Sequence, residues 1–249
     1  MVVDNRGLPH STAYLNTVSY SLSEDVTPPA PTVGTIASVG DFDNKNFDIT
    51  GDVSTGGNYV NTDKGTITGN LTYGGSASST EGVTGTVTKG SFNAINFTTL
   101  GTTLTSTATT KTTSDVYDFT VLSGTNKVIY VNGNVTNPSI IGAGTLYVNG
   151  TITYTGNGTI GALSTPVILV ATGDIKFNKN MTLYGGLYTP GNWTRSQIAG
   201  QAVIYIGQQI DKSNNGNSSM TMGAVPWFDL RGSGGSSATT ITNFSGPQP

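Results

Sequence analysis

The chain has 249 residues, with 11 Lys and Arg against 14 Asp and Glu, for a formal net charge of −3. That balance lacks the massed positive charge a phosphate backbone requires, so nucleic acid is disfavoured as a partner. Charged residues are 10% of the total, glycines number 34 and cysteine is absent, which leaves Thr, Ser and Asn to cover the surface and excludes disulfides, thiolate metal sites and cysteine nucleophiles.

Residues 1–40 form a distinct leader. Tyr14, Leu15, Val18 and Leu22 fit a helical stripe, whereas Val18, Tyr20 and Leu22 also fit strand alternation; the reading leans to a strand or irregular cap. Pro28-Pro29-Ala30-Pro31 ends it as an extended connector, since proline forbids helix there. From Asp41 onward, short β-branched and aromatic bursts alternate with Gly, Asn and Asp, the signature of strands and turns.

A five-residue phrase recurs through this region: apolar, Thr or Asn, Gly, any residue, apolar. It reads Ile49-Thr50-Gly51-Asp52-Val53, Ile67-Thr68-Gly69-Asn70-Leu71, Val83-Thr84-Gly85-Thr86-Val87, Val131-Asn132-Gly133-Asn134-Val135 and Val148-Asn149-Gly150-Thr151-Ile152. Looser copies are centred on Gly173, Gly186 and Gly200. The glycine steps are 18 (51 to 69), 16 (69 to 85), 17 (133 to 150), 23 (150 to 173), 13 (173 to 186) and 14 (186 to 200). A spacing near one solenoid coil predicts that each phrase is a short strand with its turn, stacked on the copy before. The Asn-Gly pairs at 132, 149 and 157 are corners in that fold and hairpin turns in an antiparallel one; recurrence of the same phrase favours corners.

No phrase occurs between Gly90 and Asp115, so residues 90–115 are expected either to loop off the rod or to join two sub-arrays, and Thr98 to Thr113 is β-compatible. Beyond it, Lys127–Val131, Gly144–Val148 and Pro166–Val170 carry apolar residues at adjacent positions, which calls for cover on both faces by a flanking helix or by the insertion. The expected organisation is one all-β, right-handed parallel β-helix over 41–231, an N-terminal cap over 1–40 and a flexible tail over 232–249. The longest apolar run, Pro166–Ala171, is far short of the roughly 20 residues that span a bilayer. The piece reads as a soluble domain excised from a longer protein, with any export signal or anchor in the missing part.

Catalytic patterns are sparse. His10 is the only histidine, and neither a nucleophile elbow, a zinc-protease helix nor a phosphate loop occurs. Asn61-Thr62-Asp63 matches one element of pectin-cleaving glycosidases, and Asp52 with Asp63 could supply two carboxyls, but the other elements of those families are missing. Asp41, Asp43, Asn44 and Asp48 offer oxygen donors of the kind Ca²⁺ accepts without an EF-hand's glycine and glutamate, and read as a solvated turn. No cofactor, metal or catalytic residue is therefore expected. Aromatic residues are the better lead: Tyr147, Tyr154, Tyr184, Tyr188 and Trp193 could form an exposed ladder on stacked coils and lie against the apolar faces of sugar rings, the alternative being half-buried caps. An ice-binding solenoid would want a regular T-x-T ladder, and none runs along the chain.

The succession Tyr130–Gly133, Ile168–Ile175, Leu183–Asn192 and Ile198–Val203 resembles the β-solenoid end of type IV pilus-associated, PilX-like proteins and, more loosely, the tapirin adhesins; Pro226-Trp227-Phe228-Asp229 is similar to a closing element after the coils. That resemblance implies adhesion rather than catalysis, on the bacterial cell surface. The expectation is a non-enzymatic extracellular adhesin that binds an insoluble polysaccharide such as cellulose through exposed aromatic and apolar residues, in company with pilus or cell-surface proteins. The alternatives are a structural minor-pilin module that binds protein partners, and a β-helix polysaccharide lyase or hydrolase.

Overall fold

The computed structural model describes residues 35–90, 97–111, 116–124, 127–212 and 217–222. Its strands wind as a parallel β-helix. One coil runs through Gly144–Asn149, Ile152–Tyr154 and Gly158–Ile160, and the next begins at Val167–Ala171. Every strand pairing is parallel, so the Asn-Gly pairs are corners and not hairpins. Equivalent positions Tyr130, Tyr147, Val170, Tyr188 and Tyr205 are 17, 23, 18 and 17 residues apart. The long coil places its extra residues in a loop where Ala162 and Thr165 exchange both backbone hydrogen bonds, 3.1 Å each.

The coils have three walls, two of them bent from one 14-stranded sheet. The helix face stacks, in spatial order, Val87–Lys89, Leu71–Tyr73, Asp52–Thr55, Thr35–Ser38, Ile198–Ile206, Met181–Thr189, Val167–Ala171, Gly144–Asn149, Val128–Asn132 and Thr109–Lys111. The short-strand face runs from Tyr59–Val60 through Phe42–Asp43, Ile210–Lys212, Trp193–Arg195, Ile175–Phe177 and Ile152–Tyr154 to Val135–Thr136. The open face stacks Ile67–Thr68, Phe47–Thr50, Ser218–Met222, the first halves of Ile198–Ile206 and Met181–Thr189, and Gly158–Ile160.

The order on the helix face shows that the chain does not climb from one end to the other. It enters at the waist with Thr35, winds out to Lys89, returns to the far end at Thr109 and fills the rod back to the waist. Residues 90–115 thus join two sub-arrays, and Thr35–Ser38 already pairs within the helix face. The return crosses nine strand spacings, about 43 Å.

Helix α1 (Phe97–Thr107) supplies about 16 Å of that crossing. The Thr-rich stretch was expected to suit a strand, and the structure corrects this over these residues. Leu100 and Leu104, one turn apart, bury against the outer surface of the helix face, and that burial outweighs the modest helix propensity of threonine. The threonine hydroxyls bond back along the helix, Thr102 to the Thr98 carbonyl (3.1 Å) and Thr105 to that of Gly101 (2.8 Å). The helix is the second cover that the doubly apolar strands Val128–Asn132 and Gly144–Asn149 required.

The five-residue phrase straddles a corner. Its apolar residues point inward, the residues beside the glycine point out, and the glycine turns the chain between two walls. In the first array Gly51 and Gly69 turn from open face to helix face; in the second, Gly133, Gly150 and Gly173 turn from helix face to short-strand face. The step of 13 compares the corner at Gly173 with Gly186 at a different corner, and the step of 14 ends on Gly200, three residues short of Val203, the residue in register with Gly186. Asp and Asn side chains at the corners accept the backbone N–H one coil on: Asn58 donates to Asp41 (2.7 Å), Ser76 to Asn58 (2.9 Å) and Asn192 to Asp174 (3.0 Å). Asp41 thus belongs to this ladder.

Inside the coils, Phe177 meets Tyr154 and Trp193 edge-on at 5.5 and 6.0 Å. Asn44 Nδ2 donates to Tyr59 Oη (2.7 Å). Arg195 is fully buried, its guanidinium 4.1 Å from the centre of the Phe47 ring, with Nη2 donating to the Asp43 carbonyl (3.0 Å) and Nη1 to Ser218 Oγ (3.3 Å). Burial pushes this guanidinium down to about 10, against the opposing pull of Asp43 and Asp211.

Candidate functional site

The outer surface of the helix face carries the aromatic file that stacking predicts. Tyr130, Tyr147, Val170, Tyr188, Tyr205 and Ala37 follow one another in register. Tyr188 and Tyr205 are stacked at 5.6 Å and 8°, and Tyr130 and Tyr147 are tilted at 5.4 Å. This file is a seat for the chain itself. Tyr147 and Tyr188 are 8% and 5% exposed, in one buried cluster with Leu100 and Leu104 of α1. Burial raises the Tyr147 phenol above its ordinary pKa, partly offset by a hydrogen bond with Thr105.

Tyr154 and Trp193 point the other way, into the core, at 7% and 0% exposure. Their strands alternate in, out, in, so residues at both ends of a three-residue strand face inward. Tyr154 Oη donates to the Pro138 carbonyl (3.4 Å), and burial raises its pKa. Of the five rings expected to line a sugar-binding ladder, only Tyr184 keeps a half-exposed place on an uncovered wall. The exposed ladder is therefore corrected: four of its rings are packing residues.

The open face is the wall that remains. Register brings its outward residues into two files. One contains Thr159, Thr182, Ala199, Ser219, Asp48 and Thr66; the other contains Tyr184, Gln201, Thr221, Thr50, Thr68 and Thr84. Beneath them, Leu183, Met220, Ile49 and Ile67 are buried and hold the strands flat against the core. Thr182, Tyr184 and Gln201 are half-buried and the others exposed. Asp48 is the single charge in the two files, and it accepts from both the backbone N–H (3.2 Å) and the hydroxyl (2.7 Å) of Thr66. A shallow depression beside the first file is lined by Asp48, Asn180, Thr182, Gln197, Ala199 and Ser219.

This arrangement offers rows of hydroxyls, methyls and amides on a rigid lattice. Among the described residues no three His, Cys, Asp or Glu side chains gather as a metal site. Asp52 and Asp63 stand at opposite corners of the open face: Asp52 accepts from Asn70 (2.8 Å), and Asp63 pairs with Lys45 (3.2 Å). His10, residues 1–34 of the expected cap, the closing element at Pro226–Asp229 and the tail lie outside the described residues. Among the described residues no helix is long and apolar enough to cross a membrane.

The face was not legible as a T-x-T ladder because, while other T-x-T triplets such as Thr151-Ile152-Thr153 fall on other walls, only Thr66-Ile67-Thr68 among its own rungs spells the motif. Its neighbouring rungs, Asp48-Ile49-Thr50 and Ser219-Met220-Thr221, come from opposite ends of the sequence and meet through parallel pairing. The available signal was a polar–apolar–polar triplet ahead of each corner.

No protein-family model matches the chain, and no curated protein matches it. Among solved structures, an ice binding protein from an Antarctic bacterium Flavobacteriaceae is similar at 14% identity and a TM-score of 0.42. The match covers 79% of this chain and 49% of that one, so this chain spans about half the length of that structure.

Proposed function

We propose that this domain is a non-enzymatic binder of an extended, regular and weakly charged solid, with ice as the surface it fits best. The observation that carries the reading is the pair of files on the open face. Neighbouring coils place like residues about 4.8 Å apart, and alternate residues on one strand lie about 6.7 Å apart, so the hydroxyls form a two-dimensional lattice. Threonine is stiff about its first torsion, which holds each methyl and hydroxyl in place with little entropy left to lose on binding. Such a lattice can hold a layer of water in fixed positions, and an ice crystal continues that layer. A wall with one charge binds without long-range attraction, so affinity should change little with salt. The domain then acts outside the cell, where such solids are met.

Ice-affinity partitioning tests this. The protein is expected to enter a slowly growing ice front and to slow recrystallisation, while a chain with Thr50→Lys and Thr221→Lys is excluded. Exclusion of the native chain would discard the ice reading.

An insoluble polysaccharide such as cellulose is the second reading, favoured by half-exposed Tyr184 beside Gln201 in the same file. It keeps the adhesin role, and the resemblance to pilus-associated proteins supports display on the bacterial surface. Retention on crystalline cellulose at both low and high salt, lost in Tyr184→Ala, supports it; no retention in either condition removes it.

A further inference from the structure

The strand registers show where the two arrays meet. Met222 pairs beside Ala202, while Ile36 pairs beside Ile204. On the other side Thr221 pairs beside Thr50, and Thr35 beside Asp52. Extending each ladder by one position sets Met222 and Thr35 on Ala202 and Val203 below, and on Gly51 and Asp52 above. Both bracketing pairs are covalent neighbours. Met222 and Thr35 thus hold the places of consecutive residues in one strand, where Cα atoms lie about 4 Å apart.

We infer that this domain is a continuous solenoid whose covalent order has been rotated: Met222 and Thr35 meet at the waist, and the connection that carries helix α1 is a strap that ties the two far ends of the rod together. Read from Phe97 to Met222 and then from Thr35 to Lys89, every coil follows the one it stacks on. Arg195 clips this junction from inside, since its guanidinium reaches Ser218 on one side and the Asp43 carbonyl and Phe47 ring on the other. Both files of the open face cross the junction, from Ala199 and Gln201 through Ser219 and Thr221 to Asp48 and Thr50. End coils of an open solenoid have one neighbour and fray first. Here the strap makes both end coils parts of one chain loop.

The inference rests on register and not on the proposed ligand, and two measurements test it. The first uses a permuted chain that keeps all 249 residues, starting at Ala94, passing from Pro249 to Met1 and ending at Asn93. It is expected to show the native β-sheet circular dichroism and one cooperative melt, with faster amide exchange confined to the end strands Val87–Lys89 and Thr109–Lys111. The second uses the native order with Asp48→Cys and Ser219→Cys, in a chain otherwise free of cysteine. Residues paired in register fall within disulfide reach, so mild oxidation should link them within one molecule in nearly every chain. An unfolded permutant, or cysteines that stay reduced or join only between molecules, would overturn the rotated order. End strands that exchange no faster in the permutant would overturn the strap. If native and permuted chains fold alike and both fail to bind ice, the ligand is refuted while the rotated order stands.

Discussion

Gly200→Ala is expected to be among the most damaging single-methyl changes in this chain. Gly200 stands within the open-face strand, in register with Leu183 and Met220, at φ +115, a region that side chains with a Cβ rarely enter, and an added Cβ would run into the carbonyl oxygen of Leu183 one coil below. Forcing that torsion costs about 1–3 kcal/mol. Relieving the collision means lifting a strand paired on both sides, and losing two ladder hydrogen bonds adds about 2 kcal/mol. The total is about 3–5 kcal/mol. At about 2–4 °C per kcal/mol for a domain of this size, the melting midpoint should fall by about 6–20 °C. Gly158→Ala is the control: its Cβ would meet only the Met181 methyl, at 3.5 Å, without a positive φ, so the midpoint should hold or rise slightly. Scanning calorimetry of the three chains decides the matter. Midpoints for Gly200→Ala and Gly158→Ala within about 2 °C of each other would refute the account of stacked coils held by backbone contact at glycine.

Trp193→Ala should cost about 3–5 kcal/mol by thermal melting, yet leave surface binding per folded molecule unchanged, because the ring is wholly in the core. Thr50→Lys with Thr221→Lys should do the reverse, abolishing retention on the solid while shifting the midpoint by little, since both side chains are exposed. Leu104→Ala should destabilise by about 2–5 kcal/mol and speed amide exchange across α1 first, because this leucine and Leu100 seat the helix on the tyrosine file. Burial pushes the Tyr59 phenol up to about 12, so its contribution is fully present below pH 10 and is lost as pH rises through about 12. Tyr59→Phe should flatten the alkaline limb of a stability–pH curve measured by urea titration.

Much of the architecture could be read from residues alone. Glycine beside Thr or Asn, flanked by apolar residues at a coil-length spacing, announced stacked parallel windings, because a corner without a Cβ is needed wherever one coil lies on the next. Adjacent apolar residues in Val128–Val131 and Val167–Ala171 likewise required cover on both faces, which α1 and the core provide. The orientation of single rings was less accessible. In strands of two or three residues a shift of one position at the corner exchanges inside for outside, and this sent Tyr154 and Trp193 into the core.

What the amino-acid order determined by itself was local: the corners, the short alternating strands and the weakly charged Thr- and Asn-rich surface. Only the tertiary structure decided which coil lies on which, that a threonine-rich segment becomes a helical strap, that the tyrosine file is covered, and that rungs from opposite ends of the chain share the open face. The physical reason is that a parallel strand takes its hydrogen-bond partners from another coil. Its neighbours are set by the burial of the whole stack, which no stretch of sequence contains.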